Sequence, residues 1–142
     1  MARKRVLIVD DEASPRAVIR EVLQRYGYEP AEAGDGLDGL AKAEAIRPDV
    51  ILLEGRMRGL DGYEVCRRLK ANTRTQHIPV IFVTGVDDDE LYALADEVGA
   101  VASITKPFHL ETLVTVIAAA LTNAEPPAEP TARSEGIRVD PC

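Results

Sequence analysis

"VILLEGRMRGLDGYEV", residues 50–65, decides how the chain is read. It opens on an unbroken apolar run, Val50 to Leu53. Such a run, without polar alternation, suits a strand covered on both faces, as in a parallel sheet between helices. Glu54 stands where the run stops, and the loop after it carries Arg56 and Arg58. Asp61, with Glu64 three residues on, has the form of a capping box that opens a helix.

The same unit recurs on either side. "RVLIVDD" (5–11) reads as a strand ending in Asp10 and Asp11. Ser14 and Pro15 suit the start of a helix, with Val18, Ile19, Val22, Leu23 and Tyr26 as its inward stripe and Gly27 at its end. "YEPAEA" (28–33) is a weaker strand, and "DGLDGLAKAEAIR" (35–47) a helix ahead of Pro48. "IPVIFVTG" (78–85) is a strand, and "DDDELYALADEVGA" (87–100) a helix with an acidic first turn that suits its dipole. "AVASIT" (100–105) and "HLETLVTVIAAALTN" (109–123) form the last pair. Regular alternation of this kind predicts an α/β fold, a doubly wound parallel sheet between two helical layers. The composition changes after Asn123. "AEPPAEPTARSEGIRVDPC" (124–142) reads as a Pro/Glu/Ala-rich linker or disordered tail after a domain over 1–123.

Composition narrows the function. The 142 residues are 46% hydrophobic and 29% charged, ordinary for a globular domain. A net charge of −7 argues against nucleic acid, which needs a basic face, and against anionic membranes. No run approaches the roughly 20 apolar residues of a membrane span, and Val6–Val9 is too short for a secretory signal. A cytoplasmic location is expected. Cys66 fits a helix core, Cys142 lies in the tail, and no CxxC or CxxH spacing supports zinc. His77 and His109 are isolated and read as surface residues.

In an open parallel sheet, ligands bind beyond the carboxyl ends of the strands. Asp10 and Asp11, Glu54, Thr84 and Lys106 all fall there, from separate strands. Clustered carboxylates form a hard oxygen site suited to magnesium. A hydroxyl and an ammonium opposite them suit a phosphoryl group, whose charge Lys106 would offset. The implied chemistry is phosphoryl transfer onto a carboxylate.

At these residues the chain resembles the receiver domain of two-component response regulators, the CheY-like, flavodoxin-like three-layer fold. "VLIVDDE", "DVILLEGRMRGLDGYEV", "IPVIFVTG" and "ITKPF" carry the likeness, which spans roughly residues 4–122. The resemblance implies a five-stranded parallel sheet in the order 2-1-3-4-5. It implies magnesium held by Asp10, Asp11, the backbone carbonyl of Arg56 and the carboxylate at position 54. It implies Thr84 and Lys106 on the phosphoryl group, and a histidine kinase or phosphotransfer protein as donor. Three positions depart from the family pattern. Glu54 stands where the phosphorylated aspartate is expected. Arg58 replaces a loop proline, and Ser103 replaces an aromatic that couples the threonine to the outer face.

One extra methylene moves the Glu54 carboxylate outward by about 1.5 Å. Misplacement by ~1 Å can cost ~100-fold in rate, so Glu54 is expected not to be phosphorylated. The longer side chain is instead within range of Lys106 or Thr84. That leaves two readings, a phosphomimetic receiver resting in an active-like state and a phosphorylation-independent pseudo-receiver. Either arginine is close enough to pair with a site carboxylate, which would weaken or abolish magnesium binding.

Output is expected through protein contact, to an effector or a second copy, across residues 88–121. Leu110, Leu113, Val114, Ile117 and Leu121 read as the core stripe of the last helix, with Val116, Ala119 and Ala120 left apolar outside it. Two alternatives remain. One is a magnesium-dependent phosphotransferase or phosphatase, for which the short loops offer little pocket, so a non-enzyme is expected. The other is the N-terminal fragment of a larger multidomain regulator.

Overall fold

The computed structural model describes residues 3–85, 89–122 and 137–139. Strands β1 (Arg5–Val9), β2 (Glu29–Ala33), β3 (Val50–Leu53), β4 (Val80–Thr84) and β5 (Ala102–Thr105) alternate with helices. These are α1 (Ala13–Arg25), α2 (Gly36–Ile46), α3 (Gly62–Ala71), α4 (Asp89–Glu97) and α5 (Leu110–Thr122), and a strand β6 (Ile137–Val139) follows. The sheet order is β2-β1-β3-β4-β5-β6. The first five strands are parallel, in the expected order 2-1-3-4-5.

Side chains of successive strand residues point to opposite faces, and the core divides accordingly. Leu7, Val9, Ile51, Leu53, Val80 and Phe82 pack with Tyr63, Val65, Cys66 and Leu69 of α3 and Ala95 of α4. Val6, Ile8, Leu52, Ile81, Val83 and Ile104 pack with Ile19 and Leu23 of α1 and Leu113, Val116 and Ile117 of α5. Both faces of β3 are therefore covered, which is why its sequence shows no alternation.

Several local expectations are corrected. Helix α1 begins at Ala13, with Glu12 at its N-cap and no side-chain cap, so Ser14 and Pro15 lie inside the first turn. Its buried residues are Ile19, Val22 and Leu23, whereas Val18 and Tyr26 are more than half exposed. In α5 the core stripe is rotated. Leu110 is 46% exposed, while Val116, expected outside, is 6% exposed and sits in the core. The apolar outer face that suggested a contact surface is thus the exposed Leu110 with the partly buried Val114, Ala118 and Ala119. At α3 the capping box is half formed. Asp61 accepts from the Glu64 N–H at 2.9 Å, but the Glu64 carboxylate turns to Arg67 and Arg68.

Within the stretch read as a linker or loose tail, residues 137–139 pair antiparallel with β5, Ile137 opposite Ile104 and Val139 opposite Ala102. Two β-branched residues flank Arg138 there, and the β5 edge supplies the unpaired backbone groups that such a segment can join. Residues 123–136 and 140–142 lie outside the described residues, as do Asp87 and Asp88 of the acidic first turn expected for the helix over 87–100.

An ion-pair cluster ties α1 to the β2 edge. Glu32 accepts from Arg20 Nη1 at 2.8 Å and from Arg16 Nε at 3.2 Å. The Arg20 hydrogen bond, opposed by burial and reinforced by Arg16, holds Glu32 below the usual carboxylate range. A lowered folded value stabilises above the unfolded one, near 4.5, and that contribution is lost as pH falls through the folded value. Glu32→Gln should therefore lower stability at neutral pH by less than about 1 kcal/mol. The two proteins should converge in acid, as read by thermal unfolding across pH.

Candidate functional site

The carboxyl ends of β1, β3, β4 and β5 bring the predicted residues to one mouth. Val9 of β1 lies opposite Leu53 of β3, so Asp10 and Glu54 follow side by side, and the Glu54 N–H bonds Val9 O at 3.0 Å. Thr84 lies opposite Thr105, and the Lys106 N–H bonds Thr84 O at 2.7 Å. Residues far apart in the chain are thus fixed by sheet register. Gly62 fits this packing tightly, because a Cβ there would fall 2.1 Å from the Glu54 carbonyl oxygen.

Lys106 is the centre of the cluster. Its ammonium lies 3.0 Å from Glu54 Oε2 and 3.3 Å from Asp10 Oδ2. Burial alone pulls the amine's pKa down, but hydrogen bonding and charge from Glu54, with those of Asp10, outweigh it and hold Lys106 above its ordinary value. Glu54 is itself buried, and its other oxygen accepts the Arg56 N–H at 3.2 Å. Of the two targets open to the longer side chain, it meets Lys106. The Thr84 hydroxyl is buried and has no hydrogen-bond partner among the described residues.

Asp11 is held from the following loop. Its Oδ2 accepts both the backbone N–H and the Nε of Arg58, each at 3.1 Å. The Arg58 N–H is the main cause of an Asp11 pKa below the usual range; burial opposes it and the guanidinium adds to it. Asp10 Oδ1 accepts the Glu12 N–H at 2.9 Å. Arg16, which drew no attention in the sequence, donates to the Asp10 carbonyl at 2.6 Å. Its place six residues after Asp10 in the α1 pattern gave no functional signal.

The donor set has the hard oxygens that magnesium requires, but their arrangement does not fit the ion. Asp10, Asp11 and Glu54 each accept from protein N–H groups. Among the described residues, no three His, Cys, Asp or Glu side chains are grouped to hold a metal. Ser103, in place of the expected aromatic, is buried on β5 opposite Phe82 of β4. No described helix is long and apolar enough to cross a membrane.

Comparisons with known proteins agree with this fold. Residues 6–118 match the family model of the response regulator receiver domain. The chain is 37% identical over 128 residues to the DNA-binding response regulator MtrA of Mycobacterium tuberculosis, covering 89% of this chain and 55% of MtrA. It therefore spans about half the length of that relative. It is 37% identical over 117 residues to Protein PilH of Pseudomonas aeruginosa, covering 82% of this chain and 97% of PilH. Among solved structures, the Vibrio cholerae chemotaxis protein CheY4 superposes with a TM-score of 0.79 at 33% identity, over 82% of this chain and 98% of CheY4. A CheY-like receiver domain protein of Methanospirillum hungatei gives 0.81 at 28%, over 87% of this chain and 97% of the other. Matched along nearly the whole described length, and with its polar residues gathered at the carboxyl ends of a 2-1-3-4-5 sheet, the chain belongs to the response regulator receiver domain family.

Proposed function

We propose that this receiver serves two-component signalling without taking phosphate at position 54, and that it passes information by protein contact. The observation that carries this reading is the 3.0 Å pair between Glu54 and Lys106. The carboxylate already engages the ammonium that an incoming phosphoryl oxygen would need. Its reach, about 1.5 Å beyond that of aspartate, displaces the nucleophilic oxygen outward from the strand end. Glu54 imitates only part of a phosphoryl group, since the Thr84 hydroxyl stays unengaged among the described residues. That half-filled arrangement favours a phosphorylation-independent pseudo-receiver over a fully active-like one.

On this reading the input partner is a histidine kinase or phosphotransfer protein that docks without donating to Glu54. The output partner is an effector protein, and the module has no substrate turnover of its own. Incubation with magnesium and a small phosphodonor, followed by intact-mass measurement, should leave the chain unmodified. Stoichiometric phosphate mapped to Glu54 would overturn the reading.

A further inference from the structure

We propose that Arg58, through its backbone N–H and its guanidinium together, occupies Asp11 Oδ2 and weakens divalent-metal binding at this receiver's acid mouth. The proposal rests on identifying this mouth as the receiver's acid site.

Position 58 contributes two separate donors to one oxygen. The backbone N–H and the guanidinium Nε both reach Asp11 Oδ2 at 3.1 Å. A third contact, from Nη2 to the Asp11 carbonyl, spans 3.4 Å. Proline, the residue expected here, has no N–H and no charge and would supply none of these. Alanine would supply the N–H alone. Arginine therefore changes the neighbourhood of Asp11 in two independent ways. The contact also joins loops 47 residues apart, so it fixes the β3–α3 loop over the end of β1.

The rest of the mouth is neutralised in the same manner. Lys106 bridges Asp10 and Glu54, and between them the two cations touch all three carboxylates. A magnesium ion would have to displace the donors on Asp10 and Glu54 and share the Asp11 carboxylate with Arg58, while keeping near-octahedral oxygen geometry. The two donors of position 58 are unequal. The Arg58 side chain is 85% exposed while that of Asp11 is 14% exposed, so solvent screens the guanidinium and its share is modest. The backbone N–H, donated to a charged acceptor, carries more.

This inequality sets a graded test. Magnesium is titrated into the full chain by calorimetry at constant ionic strength, with no phosphodonor present. Wild type and Arg58→Lys should bind weakly. Arg58→Ala should bind a few-fold tighter, and Arg58→Pro about tenfold tighter than wild type. Circular dichroism checks that each variant is folded. Wild type binding magnesium as tightly as Arg58→Pro would overturn the proposal. If the proline variant does not fold, Arg58→Ala is compared with Arg58→Lys, and equal affinities overturn it. Because no phosphate is involved, phosphorylation of Glu54 would refute the proposed function and leave this result standing.

Discussion

At a magnesium concentration high enough to load the site, Glu54→Asp should accept phosphate from a small donor at least about 100-fold faster than wild type. Shortening the side chain by one methylene draws the carboxylate back toward the end of β3 by about 1.5 Å. The 3.0 Å contact with Lys106 is then lost or lengthened, while Lys106 keeps Asp10 at 3.3 Å. The ammonium becomes free to meet an incoming phosphoryl oxygen, and the buried Thr84 hydroxyl offers a second donor beside it. A carboxylate oxygen of the introduced aspartate would attack phosphorus as the bond to the donor's leaving group breaks, giving an acyl phosphate. Time-resolved intact mass follows the reaction. If the variant stays as inert as wild type, the acceptor residue is not what limits this site, and the account of Glu54 fails.

The largest stability effect is expected from Phe82→Ala, at about 3–5 kcal/mol. Phe82 is fully buried at the centre of β4 and stacks on Tyr63, with ring centroids 4.7 Å apart and planes inclined by 22°. Truncation removes both the transferred apolar area and the partner of that ring. A chain of this length should then lose roughly 10 °C or more in Tm. Tyr63 in turn packs against Gly55, where any Cβ would come within 2.7 Å of its hydroxyl. The cavity therefore opens directly beneath the loop that carries Arg56 and Arg58. Urea or thermal denaturation measures the loss, and a change below about 1 kcal/mol would mean that α3 settles onto the sheet and refills the space.

Particular residues explain what was legible beforehand. Val50–Leu53 announced a covered central strand because four apolar residues in a row have few other uses. Glu54, Thr84 and Lys106 could be grouped because topology alone places strand ends together. The strand order itself came from the family resemblance and was not read from periodicity. The pairing of Arg58 with Asp11 was open only as one of two arginines near several acids, since its partner lies 47 residues away. The α5 stripe was misplaced because the polar face of this helix is marked only by Glu111 and scattered threonines, Thr115 and Thr122, and Val116 and Leu110 exchanged roles. Ser14 resembled an N-cap, yet Glu12 holds that place in α1, two residues earlier. Ile137–Val139 is too short to declare a strand, and it becomes one only beside β5.

That last strand has a practical side. Because β6 runs opposite to β5, Val139 lies beside Ala102, at the pole of the sheet remote from Lys106. A fluorophore, affinity handle or second domain joined beyond Val139 would start its path from that remote pole. Such an attachment would leave the acid mouth unobstructed for spectroscopy or immobilisation. By the same placement, a reporter fixed there would register whether the β5 edge is covered and stay silent to chemistry at Glu54.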